Sequence, residues 1–62
     1  MSERQLLNLQ ELARRLRVSA TWLRREADTG RIPHLRAGSQ RLFNLEVVER
    51  VLADRAAQEE RR

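Results

Sequence analysis

The stretch from Leu9 to Gly30 constrains the fold of this chain most, because its apolar residues follow a helical period that is interrupted once. In the first half of the stretch they recur at i, i+3, i+4 and i+7, as Leu9, Leu12, Ala13 and Leu16. The period stops at Arg17-Val18 and restarts after Ser19, a good N-cap residue. Because two residues are too few for a long loop, the sequence predicts two helices that meet at a steep angle through a tight turn.

A second pattern marks where helices begin, and it occurs three times. An apolar residue, a capping side chain and a further apolar residue at the fourth helical position form a hydrophobic staple. The three sets are Leu7-Asn8-Leu12, Val18-Ser19-Leu23 and Phe43-Asn44-Val48. Glu11 adds a capping-box-like pattern to the first set. The sequence therefore predicts three helix starts, each directly after a capping residue.

Between the second and third helix starts the pattern changes from helix to strand. Gly30 and Pro33 end the second helix near Thr29, because glycine suits a left-handed C-terminal position and proline cannot continue a helix. The following segment, IPHLRAGSQRLF, has apolar residues on both sides of Ala-Gly-Ser-Gln, which indicates two short strands and a glycine-containing turn. Two strands alone are marginal in water, so we expect Leu35 and Phe43 to fold onto the helices.

The rest of the chain predicts a third helix from Leu45 to about Ala57, with valine and leucine at helical spacing. The predicted fold is mainly α: three helices, with a small two-stranded β-hairpin between helices 2 and 3. Sixty-two residues allow one domain, which we place at residues 6–57, with residues 1–5 and 58–62 as frayed termini.

Composition narrows the classes of function. There is no cysteine, no secretory leader and no apolar run of membrane-spanning length, which favours a cytoplasmic protein. The sequence lacks a glycine-rich phosphate loop and a nucleophile–base set, so we expect no catalysis and no cofactor. His34 is the only histidine and has no acidic partner at ligand spacing, so we expect it to pack or hydrogen-bond near Trp22 instead of binding a metal.

The basic residues are informative through their kind and their distribution. All thirteen are arginine, which suits phosphate or guanine, although the codon usage of a GC-rich genome explains this equally well. Eight of them lie within residues 14–41, where the only acids are Glu26 and Asp28. The other acids concentrate in the last helix and the tail. The basic side of the molecule should therefore belong to the first two helices and the hairpin.

The segment LLNLQELARRLRVSATWLRREADTGRIPHLRAG, continued by RLFNLEVVERVL, resembles the small excisionase-type, MerR-like DNA-binding domains. The resemblance covers about residues 6–53 and implies a winged helix-turn-helix. It also implies that four residues of the second helix face the major groove: Ala20, Thr21, Arg24 and Arg25. The chain departs from the family pattern at Glu26, usually apolar, and at Ala27, usually larger. We therefore expect a less firmly packed second helix, with an acid beside its basic face.

Each candidate DNA contact has a plainer interpretation. Thr21, Arg24 and Arg25 lie off the apolar stripe, so simple solvation also explains them. For Trp22 we expect half-burial against the hairpin, with contact to sugar or phosphate through its indole N–H as the alternative. In winged domains the tip of the hairpin reaches phosphates or the minor groove. The corresponding residues are Arg36, Ser39, Gln40 and Arg41, which could equally be ordinary turn residues.

The first helix offers a further basic group. Arg14, Arg15 and Arg17 could clamp phosphates beside the second helix, or pair with Glu11 and solvent. Together these patterns predict sequence-specific binding of double-stranded DNA in the nucleoid, by an excisionase-like recombination directionality factor or a small transcriptional regulator. Neighbouring copies of the protein, or an integrase, are the expected protein partners. The alternative is a protein-interaction or dimerisation module on the same scaffold.

Overall fold

The computed structural model describes residues 6–60, which form three α-helices and a small antiparallel sheet. In chain order the elements are β1 (Leu6–Leu7), α1 (Leu9–Leu16), α2 (Ala20–Asp28), β2 (Leu35–Ala37), β3 (Gln40–Asn44) and α3 (Leu45–Glu60). The three helices and the hairpin between α2 and α3 confirm the predicted fold class. The predicted fraying of residues 1–5, 61 and 62 concerns residues outside those the structure describes, whereas residues 58–60 are helical.

Capping side chains begin each helix, as the staple pattern predicts. The Asn8 side chain accepts a hydrogen bond from the backbone N–H of Glu11 at 2.8 Å. The Glu11 carboxylate in turn accepts one from the N–H of Asn8 at 3.0 Å, which completes the capping box. Ser19 and Asn44 cap α2 and α3 in the same way, at 3.0 and 3.2 Å. These bonds satisfy backbone donors that would otherwise lack a partner in the first turn of each helix.

The turn between α1 and α2 depends on one residue in an unusual conformation. Arg17 has a φ of 61°, in the left-handed region, and caps α1. Its N–H donates towards the carbonyl oxygens of Ala13 and Arg14, and the N–H of Val18 donates to the carbonyl oxygen of Ala13 at 3.1 Å. The predicted interruption at Arg17-Val18 is therefore a left-handed C-cap that reverses the chain within two residues of the next N-cap, Ser19.

The sheet has the strand order β1-β3-β2, with both pairings antiparallel. The strands β2 and β3 form the wing, defined as residues 35–44, and Gly38-Ser39 is its two-residue turn. Gly38 has a φ of 65° while Ser39 stays at negative φ, the pattern of a type II′ turn. The strand β1 adds a third member to the sheet, which the sequence did not predict, by pairing Leu7 with Phe43.

The two faces of this sheet correct the expectation for Leu35. Phe43 is fully buried, but Leu35 is 54% exposed. Successive side chains of a strand point to opposite faces, and directly paired residues share a face. Leu35 pairs with Leu42, the neighbour of Phe43, so it lies on the outer face of the sheet. Of the two residues expected to fold onto the helices, only Phe43 does so.

The core lies between α1, α2, the inner face of the sheet and the first turn of α3. Its buried apolar residues are Leu7, Leu12, Ala13, Leu23, Ala27, Ile32, Phe43 and Val48. The helix α3 continues past the expected end at Ala57 to Glu60, although residues 56–60 are all exposed. Over residues 6–60, no helix has the length and apolar character needed to cross a membrane.

Candidate nucleic-acid interface

The outward side of α2 carries the polar residues that the resemblance places in a major groove. Thr21, Arg24 and Arg25 are exposed, whereas Ala20 is half-buried against the core. The buried positions of α2 are Leu23, Glu26 and Ala27, spaced at i, i+3 and i+4. The helix thus buries one stripe and leaves its threonine and two arginines free to meet a ligand.

An open groove of about 420 Å³ lies beside this side of α2. It runs between the first turn of α1, the middle of α2 and the wing. Its lining residues are Asn8, Leu9, Gln10, Arg24, Arg36, Ser39, Gln40 and Arg41. Three guanidinium groups, one from α2 and two from the wing strands, therefore lie among amide and hydroxyl groups, and these lining residues include no carboxylate. The exposed members of this set, among them Arg24 and Arg36, are donors that fit the oxygens of a phosphate backbone.

Asn8 and Gln10 belong to this groove, although the sequence analysis missed them as site residues. Asn8 was assigned only a capping role. The reason for their position is β1, since Leu7 pairs with Phe43 and thereby holds the start of α1 against the sheet that carries the wing. A two-residue strand gives too weak a sequence signal to predict this placement.

The four predicted wing residues differ in their surroundings. Arg36, Ser39 and Gln40 are exposed, with Ser39 in the turn and Gln40 beside it. Arg41 is directly opposite Arg36 in the hairpin, but its side chain is only 22% exposed. Its guanidinium forms a salt bridge with Asp28 at the end of α2. Three of the four residues are therefore free at the surface, and the fourth is engaged with α2.

Glu26 corrects a second expectation. It was expected to place an acid beside the basic face of α2, but it is 6% exposed and lies on the buried stripe. Its carboxylate oxygens lie 3.0 Å from Arg55 Nη1 and 3.7 Å from Arg31 Nη1. The negative charge is thus turned inward and compensated, and the outward face of α2 keeps its positive character.

Trp22 and His34 have other neighbours than expected. Trp22 is half-buried, as predicted, but the charged group over its indole belongs to α3: the Arg55 guanidinium carbon lies 6.0 Å from the ring centre. His34 Nδ1 lies 3.1 Å from the carbonyl oxygen of Ile32. Its ring centre is 5.8 Å from that of Phe43, an aromatic neighbour other than the expected Trp22. Both residues therefore have packing contacts within the fold, and Trp22 keeps part of its surface accessible.

The arginines of the first helix and its cap remain available for contacts. Arg14, Arg15 and Arg17 are all exposed. Glu11, their alternative partner, already uses its carboxylate in the capping box with Asn8. The exposed positive charge on this side of the molecule accordingly extends from the wing and α2 to the end of α1.

Comparison of the chain with curated proteins and with solved structures gives no match. Comparison with protein families matches residues 6–56 to a family described as a helix-turn-helix domain. That range begins with β1, includes the turn between α1 and α2 and the wing, and ends within α3. The chain therefore belongs to this family of excisionase-type helix-turn-helix domains, a DNA-binding kind of domain.

Proposed function

We propose that this protein recognises a specific sequence in double-stranded DNA, with α2 in the major groove and the wing on the backbone or in the adjacent minor groove. One observation carries the proposal: the exposed side of α2 stands next to a groove lined by arginines and amides. A helix presents base-reading side chains, and a flanking basic groove holds the strand beside it. A protein with this role works in the cytoplasm, on the nucleoid.

The position of each arginine suggests a division of labour. Arg25 is exposed on α2 and is not among the residues lining the groove, so with Thr21 it is suited to base edges. Arg24 lines the groove together with Arg36, and the two converge on the space where a phosphate would lie. Ala20 offers a methyl group at the start of α2. Half-buried Trp22 is suited to a sugar contact at the edge of the interface.

Phosphate contacts give the first test, through the salt dependence of binding. If four to six arginines neutralise phosphates, a set that includes Arg14 and Arg17, the logarithm of the association constant should fall against the logarithm of salt concentration with a slope of about −4 to −5. Fluorescence anisotropy with a labelled random duplex measures this slope. A slope near zero would contradict DNA binding and would favour the interaction-module alternative.

A second test distinguishes base contacts from phosphate contacts by the effects of removing each. Arg25→Ala should cost about 1–3 kcal/mol on the preferred site and relax the preference at one base pair. Arg36→Ala should weaken all duplexes alike and make the salt slope shallower by about one. Selection from a randomised duplex library, followed by titration of the selected site, measures both. Identical behaviour of the two variants would show that the division of labour is wrong.

The size of the domain favours an excisionase-like role, with several copies side by side on DNA. A single small module covers about 600–1,000 Å² of its own surface, which reads only a short stretch of base pairs. Leu6 and Leu35 are exposed apolar residues of the two edge strands, and Leu35 lies on the outer face of the sheet. They support weak contacts with a neighbouring copy, which would couple binding at adjacent sites.

Sedimentation and titration on DNA test this arrangement together. The free protein should sediment as a monomer at micromolar concentration, and a duplex with tandem sites should fill cooperatively. A stable dimer in free solution would favour a small transcriptional regulator or a dimerisation module instead. Co-purification with an integrase would add support to a role in recombination, but it is not required for the DNA-binding proposal.

A further inference from the structure

Arg41 differs from the other arginines around the groove, because its side chain is 22% exposed and forms a salt bridge with Asp28. We infer that the Arg41–Asp28 salt bridge fixes the wing relative to α2, and that Arg41 is a positioning residue which does not itself contact DNA. This inference rests on the proposed function and deepens it. It assigns to Asp28, an acid within a basic surface, a role in sequence discrimination.

Both terminal nitrogens of Arg41 are directed at the last turns of α2. Nη2 binds the carboxylate of Asp28, the final residue of the helix. Nη1 lies 3.5 Å from the carbonyl oxygen of Arg24, one turn earlier. The C-terminal end of a helix carries partial negative charge, so a guanidinium is favoured at this point. These contacts leave Arg41 little capacity to bind a phosphate as well.

The wing needs such an anchor because its outer part has little else to hold it. The strand β2 has three residues, all exposed, and within residues 6–60 it pairs only with β3. A two-stranded ribbon is marginal in water by itself. In addition, Arg36 and Arg41 are directly opposite in the hairpin, and like charges at such positions repel. Asp28 neutralises one member of this pair and ties its strand to α2.

The consequence for recognition concerns the spacing between two contacts. In the proposed complex α2 meets base edges while Arg36 meets the backbone, so the distance between wing and helix determines whether both can form at once. If the wing is held at a fixed distance from α2, a DNA sequence that offers both the base and the phosphate contact is favoured. Both contacts then form without the cost of ordering the wing on binding. Random sequence offers no base contacts to align, so its affinity depends on charge and hardly on this spacing.

The double variant Arg41→Met/Asp28→Asn isolates the effect of position from that of charge. It removes one positive and one negative group, so the formal net charge is unchanged. We expect affinity for the selected site to fall about 3- to 10-fold, as for the loss of a coupled pair. Affinity for a random duplex and the salt slope should stay at their wild-type values. In the free protein, amide hydrogen exchange at Ala37 and Gln40, the strand pair next to the turn, should accelerate, which reports wing anchoring without DNA.

The opposite assignment gives different results. If Arg41 contacts a phosphate, the double variant should lose random-duplex affinity, and its salt slope should become shallower by about one, as expected for Arg36→Met, the matched control. The single variant Asp28→Asn, at a half-exposed position, adds a check that avoids the strand. Anchoring predicts a lower ratio of specific to random affinity, whereas a phosphate contact freed from Asp28 predicts stronger binding to both duplexes and an unchanged ratio.

Failure of the proposed function can be distinguished from failure of the anchoring role, because DNA binding is measured on the wild-type protein. A wild-type chain that ignores duplex DNA at low salt would overturn DNA binding and this role of the salt bridge in recognition. Faster amide exchange in the double variant would still establish that the bridge anchors the wing. Unchanged exchange, together with an unchanged affinity ratio, would overturn the anchoring role while leaving the DNA-binding proposal in place.

Discussion

Phe43→Ala should lower the free energy of unfolding by about 3–5 kcal/mol, because it empties a fully buried position in the central strand of the sheet. A domain of this size has a total stability of roughly 3–9 kcal/mol. The variant should therefore be partly or wholly unfolded at room temperature. Urea denaturation followed by circular dichroism measures the loss, with Trp22 fluorescence as a second probe.

Leu35→Ala is the matched control for this prediction. It also removes a large apolar side chain from the wing, but at a position that is 54% exposed and on the other face of the sheet. Its cost should stay within about 0.5 kcal/mol, as for most surface substitutions. If Leu35→Ala were as costly as Phe43→Ala, the assignment of the two faces of the sheet would be wrong.

The second large effect is expected at the buried charge of α2. Arg55→Met should cost about 3 kcal/mol, because it leaves the Glu26 carboxylate buried with only Arg31, whose guanidinium is 3.7 Å away. Glu26→Leu should be nearly neutral or stabilising, since it replaces the acid by an apolar residue of similar volume. Over residues 6–60, Glu26 Oε1 and Arg55 Nη1 lie 3.0 Å apart without the alignment of a hydrogen bond.

The test is which of the two variants, Arg55→Met or Glu26→Leu, loses more free energy of unfolding. Urea denaturation measures both. In Glu26→Leu the two arginines return to solvent, since their side chains are already 37% and 63% exposed. The double variant Glu26→Leu/Arg55→Met should recover most of the stability lost in Arg55→Met. A Glu26→Leu variant less stable than Arg55→Met would show that the carboxylate contributes more than its burial costs.

Sequence reasoning succeeded where the signal is local. The caps at Asn8, Ser19 and Asn44 act on backbone groups within three residues, so their spacing alone located every helix start. The turn at Gly38-Ser39 is equally local, because it depends on the backbone freedom of glycine. The outward side of α2 followed from the periodicity of its buried residues.

Sequence reasoning failed where a residue's role depends on a partner that is distant in the chain. Leu35 was assigned to the core because it is apolar, but its face is set by its pairing with Leu42. Glu26 falls at the buried spacing from Leu23, yet its charge suggested the surface, and Arg55 lies far along the chain. The groove was missed in part for the same reason, since the strand that brings Asn8 to the wing is only two residues long.

The pairing of β1 with β3 also determines when this chain can fold. Residues 6 and 7 find their partners only at residues 44 and 43, so the sheet closes a loop that contains both α1 and α2. Closing such a loop loses chain entropy before the contacts of the core compensate for it. A nascent chain that has emerged from the ribosome only as far as Gly38 lacks the central strand and the buried Phe43 and Val48. We therefore expect the helix-turn-helix segment to become stable late, once α3 has begun to form, so that the arginines of α2 reach the arrangement described above only as the last part of the domain is synthesised.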